Sequence, residues 1–224
     1  MAKQQARPKY VSPKGRFSYP KLTEPDTKFK EEGEYSVNLI LEKSSPEARK
    51  LMAQIDKAAA ESLAEAKARA KNAAEAKKWE TKYLPYSDIE DEETGEPTGE
   101  IKVKFTMKAS GVSKKTGKPW SRKPAIFDAK GKPITGDIKI GGGTIGKISY
   151  EIVPYAPTTQ VGASVKLALE AVQIIELKEW GERSADSYGF GEEDGYAHDD
   201  ADNSSPFDSE DEGGDSDLTG EEEF

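Results

Sequence analysis

The last fifth of this chain has almost nothing with which to build a core, and that confines folding to the first ~180 residues. From Glu182 to Phe224 there are 17 acids and one base, a net charge of −16. The remainder holds 32 bases and 25 acids, or +7. The overall −9 therefore conceals a basic body joined to a strongly acidic tail. Such asymmetry points to a body for a polyanion and a tail for something else. Residues 181–224 are expected to be disordered. The tail nevertheless ends "SEDEGGDSDLTGEEEF". A solvating tail needs charge, not a terminal aromatic ring.

The body is predicted to be mainly β. "EYSVNLILE" (Glu34–Glu42) has the β-branched and aromatic content of a strand. "IKVKFTMKAS" (Ile101–Ser110) alternates cleanly. Ile101, Val103, Phe105 and Met107 fall on one face, and Lys102, Lys104, Thr106 and Lys108 on the other. "SRKPAIFDA", "IGKISYEIVPY" and the long "VGASVKLALEAVQIIEL" supply further strands, with turns at "SKKTGKPW" and "AKGKP". The late connections are too short for helical crossovers, so antiparallel pairing is expected. "LPYSDIEDEETGEPTGE" is expected to be a loop. The first 30 residues read as a basic, proline-containing arm with a strand near Arg16–Tyr19.

One long helix interrupts the strands, over about residues 46–78. Ser45 suits the N-cap and Pro46 the first helical position. Leu51, Met52, Ile55, Ala59, Leu63 and Ala66 form one apolar stripe, and beyond it alanine and charge alternate all round. A protruding, solvated insertion is the expected outcome.

Several chemistries are not supported. There is no cysteine, so no disulfide framework and no thiolate metal site, which suits a reducing cytoplasm. The single histidine, His198, lies in the tail, so catalysis is not expected. "GGGTIG" (Gly141–Gly146) has G-x-G-x-x-G spacing, but a strand pattern follows it where a dinucleotide site needs a helix. It is read as a turn or bulge feeding a strand. No cofactor and no metal are expected. The start, "MAKQQARPKY", has no leader-like apolar run, and no stretch reaches the roughly 20 apolar residues that span a bilayer.

What remains is basic residues interleaved with aromatics. They are Lys9, Tyr10, Arg16, Phe17 and Tyr19; Lys102 and Lys104; Lys114, Lys115, Lys118, Trp120, Arg122 and Lys123; and Tyr150, Tyr155 and Lys166. Single-stranded nucleic acid needs both types: cations follow the phosphates and rings stack on unpaired bases.

"IGGGTIGKISYEIVPYAPTTQVGASVKLALEAVQIIEL" (Ile140–Leu177) resembles the single-stranded DNA-binding proteins of short-tailed lytic coliphages. The triple glycine, "VPY" and "VGASVKL" occur at matching separations. "KKTGK" and "DAKGKP" also fit, so the detailed likeness spans Lys114–Leu177. The general plan, ending in Phe224, covers the whole chain.

The resemblance implies a five-stranded oligonucleotide-binding (OB) barrel over residues 31–180, preceded by the arm at 1–30. It implies binding of single-stranded DNA without sequence preference, in phage replication, recombination and repair, in the cytoplasm of an infected bacterium. It further implies a homodimer whose acidic tail contacts the phage DNA polymerase and helicase–primase, and occupies the DNA groove when DNA is absent. On this reading Lys102, Lys104 and Lys166 contact phosphates. Trp120 and Tyr155 stack on bases, Tyr150 lies with them, and Lys114, Lys115, Lys118, Arg122 and Lys123 form a basic loop alongside. Glu221, Glu222, Glu223 and Phe224 form the partner-binding end. The competing reading is an interaction scaffold whose tail recruits basic partners, with nucleic-acid binding incidental.

Overall fold

The computed structural model describes residues 7–28, 30–113, 115–155, 157–158 and 160–179. In chain order the elements are β1 (Lys9–Val11), β2 (Gly15–Asp26), β3 (Glu34–Glu42), α1 (Pro46–Ala68), α2 (Ala73–Lys78) and β4 (Tyr86–Glu90). Then follow β5 (Pro97–Lys108), β6 (Ser110–Val112), β7 (Pro119–Ser121), β8 (Ala125–Phe127), β9 (Ile145–Pro154) and β10 (Val165–Glu176). The expected tail, 181–224, lies outside the described residues.

Five strands close on themselves in the order β2–β3–β5–β10–β9 and back to β2. This is the mainly β fold that the strand pattern predicts, closed as the OB barrel that the resemblance implies. Closure depends on one parallel pair, in which Leu167 of β10 faces Phe105 of β5. The expected antiparallel pairing is found between β9 and β10 and in most of the sheet, with β10 running parallel to β5 and to β8 as the exceptions. Fifty-odd residues separate β5 from β10, and β9 lies among them, so the chain has room to return in the same direction.

Alternation places Phe17, Leu22, Val37, Leu39, Val103, Phe105, Ile148, Tyr150, Leu167 and Leu169 inside, each at most 1% exposed. Phe105 meets Tyr150 edge-on, with ring centroids 5.1 Å apart. Gly146 is needed where β9 crosses β2: a Cβ there would sit 2.5 Å from the Gln173 carbonyl oxygen and 2.6 Å from Phe17 Cζ. The triple glycine forms a turn, as expected, but a firmly held one. Thr144 is fully buried, and its hydroxyl bonds the backbone of Lys178 through both carbonyl and N–H, at 3.0 and 3.1 Å.

The helix begins as predicted, with Ser45 Oγ accepting from the Ala48 N–H and Pro46 in the first turn. It differs from expectation in two ways. It stops at Ala68, and Asn72 caps the separate α2 by accepting from the Glu75 N–H. Nor is it a solvated insertion: Ala48, Leu51, Ile55 and Ala59 enter the barrel's core cluster. Farther along, Ser62 rather than Leu63 continues the buried face, and its hydroxyl is satisfied by donating to the Ser164 carbonyl at 3.1 Å.

Two further expectations are corrected. The first 30 residues are not simply an arm, since β2 is a barrel strand from Gly15 onward. The acidic segment after Leu84 is not all loop, since β4 pairs antiparallel with β5 around an Asp91 turn. Asp91 accepts from Thr94 and Glu93, and these bonds hold its carboxyl below the usual carboxylate range.

Tyr86 fastens β4 to α1 by donating to Asp56 Oδ1 at 2.7 Å. Burial, followed by the Asp56 carboxylate, pushes its phenol up to about 12. A raised phenol pKa favours the protonated folded form. Its contribution is thus complete below the ordinary value of 10 and is lost as pH climbs through about 12. Tyr86→Phe should lower stability by about 1 kcal/mol at neutral pH. It should also lessen the fall in urea midpoint between pH 10 and 12. A fall identical to the parent's would show that Tyr86 does not couple to stability.

Candidate nucleic-acid interface

The outer face of β3 and β5 is assembled by register. Asn38 faces Lys104, Ser36 faces Thr106, and Ile40 faces Lys102. On the other side of β3, Ser18 of β2 faces Asn38 and Arg16 faces Ile40. Ile40 points outward yet is only 5% exposed. Its neighbours across the two strand edges are Arg16 and Lys102, both side chains with long aliphatic stems.

Most cations near this face are already paired. Arg16 donates to both oxygens of Glu100 at 3.1 and 2.9 Å. Lys108 binds Glu32 at 2.6 Å, and that contact holds the Glu32 carboxyl below its ordinary value. Lys30 binds Glu34, and Lys43 binds Asp88. Lys102 and Lys104 are exposed, lie about 7 Å apart along one strand, and have no acidic partner among the described residues. Lys166 is exposed too. It stands one residue before the parallel Leu167–Phe105 pair, which puts it beside Lys104. The fold thus brings together all three predicted phosphate contacts.

Beyond Lys108 the strand runs into the β6–β7 hairpin. Arg122 donates from Nε to the Lys108 carbonyl and from its backbone N–H to Ala109, at 3.0 and 2.8 Å. Its guanidinium lies 5.2 Å from the Trp120 ring centroid. Gly111 sits against the same ring, and a Cβ there would be 2.8 Å from Trp120 Cζ2. Trp120 is half-buried. Lys115, Lys118 and Lys123 are exposed around the hairpin, and Lys114 lies outside the described residues.

Tyr155 is half-buried at the start of the β9–β10 connection, where its N–H donates to the Ser164 carbonyl at 3.2 Å. That connection is held by Gly162, whose φ of +67° and contact with the Glu80 carbonyl leave no room for a side chain. Tyr150 requires a correction. It is 1% exposed, and it packs on Phe105 and on Tyr10, whose centroid is 5.8 Å away. Burial pushes its phenol up to about 12. It is a core residue and offers no ring face to a base. Its parity with Gly146 and Ile148 along β9 carried that signal. Asn38 and Ser36, which complete the polar face, were missed in the basic–aromatic set, although both alternate with Tyr35, Val37 and Leu39 in the sequence. The end at Glu221–Phe224 lies outside the described residues.

The chain is similar in sequence and fold to known proteins. The single-stranded DNA-binding protein of Enterobacteria phage T3 is 34% identical over 170 residues, covering 73% of this chain and 70% of the relative. That of Escherichia phage T7 is 33% identical over 171 residues, covering 73% and 71%. The crystal structure of gp2.5, the single-stranded DNA-binding protein encoded by bacteriophage T7, superposes with a TM-score of 0.66 at 30% identity. That match covers 87% of this chain and 100% of the other. The C-terminally truncated single-stranded DNA-binding protein of bacteriophage Enc34 reaches a TM-score of 0.51 at 16% identity, covering 76% and 87%, a likeness of fold alone. The family model described as "Single-stranded DNA-binding protein, Bacteriophage T7" matches residues 15–177, which takes in every barrel strand, and the chain belongs to that family.

Proposed function

We propose that this chain binds single-stranded DNA without sequence preference during phage DNA replication, recombination and repair in the infected host. The observation that supports it best is the cluster of Lys102, Lys104 and Lys166, unpaired among the described residues, on the outer face of an OB barrel. An OB barrel binds oligonucleotides across this face. Unpaired lysines lose no protein partner when phosphates arrive. Trp120 and Tyr155, at the hairpin and the β9–β10 connection, are the proposed stacking surfaces.

Backbone contacts and stacking tolerate any base. Oligo-dT, oligo-dA and mixed single strands should therefore bind within about tenfold of one another. A strong preference for one sequence would contradict the reading.

The acidic end is proposed to recruit the phage polymerase and helicase–primase to a homodimer. The 17 acids from Glu182 onward supply the charge, and Phe224 supplies an apolar ring that solubility alone does not require. Removing Phe224 should weaken polymerase capture while leaving oligo-dT affinity in place. Undiminished capture would remove Phe224 from the partner-binding element.

A further inference from the structure

Tyr19 is the one non-glycine residue with positive φ among the described residues, at +47°. It is also 81% exposed, the most exposed large hydrophobic side chain described. A bulky residue in the left-handed region is an outlier. Pro20 follows it, and a residue before proline favours extended backbone. Nothing in the local sequence calls for this conformation.

The register explains what the conformation achieves. Ser18 faces Asn38 and Lys21 faces Ser36, so Tyr19 and Pro20 together stand opposite the single residue Val37. This is a β-bulge. In unbroken alternation, position 19 would follow Phe17 into the core. The bulge turns its ring out to solvent and returns Leu22 to the interior at 1% exposure. The ring then lies on the outer side of β2, between the row Ser18–Asn38–Lys104 and the row Lys21–Ser36–Thr106. Two strand spacings, about 10 Å, separate it from the line of Lys102 and Lys104.

We infer that Tyr19 is a base-stacking residue of the single-stranded DNA interface, presented by the bulge at the edge of the lysine row. The inference rests on the single-strand reading above and adds a contact to it. Phosphates held at Lys102 and Lys104 leave the bases of the same strand to find a platform. Trp120 has Arg122 and Gly111 against it and Tyr155 is half-buried, whereas Tyr19 offers an open ring.

The test compares the full chain with Tyr19→Asn and Tyr19→Phe, by titration with oligo-dT at several salt concentrations. Asparagine tolerates left-handed backbone, so Tyr19→Asn should fold as well as the parent, as checked by thermal unfolding. It should bind about tenfold more weakly, the loss of one stacked base. Its salt dependence should be unchanged, because no phosphate contact is removed. Tyr19→Phe, which keeps the ring, should bind like the parent. If the parent binds oligo-dT and Tyr19→Asn binds equally well, Tyr19 is not a stacking residue and the single-strand reading survives. A reduced salt slope in Tyr19→Asn, or weak binding by Tyr19→Phe, would overturn stacking as the role. Failure of the parent itself to bind would end both.

Discussion

Reversing Lys102 and Lys104 of β5 together, Lys102→Glu with Lys104→Glu, should weaken binding to oligo-dT by on the order of 100-fold at moderate salt. Each lysine that neutralises a phosphate on a single strand adds about 0.7 to the slope of log affinity against log salt. The pair should therefore account for about 1.4 of that slope, and the reversed charges add repulsion. Stability should hold. Both side chains are exposed and form no ion pair among the described residues, so the change belongs with surface substitutions, worth about 0.5 kcal/mol or less. Anisotropy titrations with matched thermal melts would separate the two effects. A change below threefold would move the phosphate track off β5. The same reversal at Lys108 should matter less, because Glu32 already occupies that ammonium at 2.6 Å.

Phe105→Ala should cost about 3–5 kcal/mol of unfolding free energy. Phe105 is wholly buried, meets Tyr150 edge-on, and stands opposite Leu167 in the parallel pair that closes the barrel. The continuous ladder from β3 holds β5 in place along this stretch, so the void would not collapse easily. Urea unfolding followed by tryptophan fluorescence would measure it. A loss under 1 kcal/mol would mean that the barrel closes without this contact. The consequence reaches the interface: Lys104 is the next residue on the same strand, so a loosened β5 should also weaken single-strand binding.

The parts of the fold that were legible in sequence are those where one face is buried and the other wet. β5, β9 and β10 alternate, and their burial follows that alternation over most of their length. The split of Phe105 inward and Lys104 outward could be read directly. The start of α1 was legible for a different reason: a cap and a proline are local chemistry.

What was hidden depended on distant partners. β2 contains Pro20 and Pro25 and a bulge, which break the period that marks a strand. It is a strand because β3 and β9 pair with it. β4 is rich in acids and holds its place by pairing with β5 and through the bond from Tyr86 to Asp56. The depth of α1 in the core was hidden as well, since alanine at Ala48 and Ala59 signals close packing and solvated helix equally. Tyr150 was misassigned because basic–aromatic interleaving ignores parity. Tyr19 is the reverse case, since its outward ring follows from a bulge that only the pairing with β3 defines.

The most direct test is a fluorescence titration of the full chain with oligo-dT, and with a duplex of equal length, at several salt concentrations. We expect clear preference for the single strand. Its salt slope should correspond to about 0.7 for each of several phosphates, with Lys102, Lys104 and Lys166 among the groups that set it. Equal affinity for duplex and single strand would mean that the β3–β5 face is not a single-strand groove. The acidic tail as a recruiter of basic partners would then be the better description of this chain.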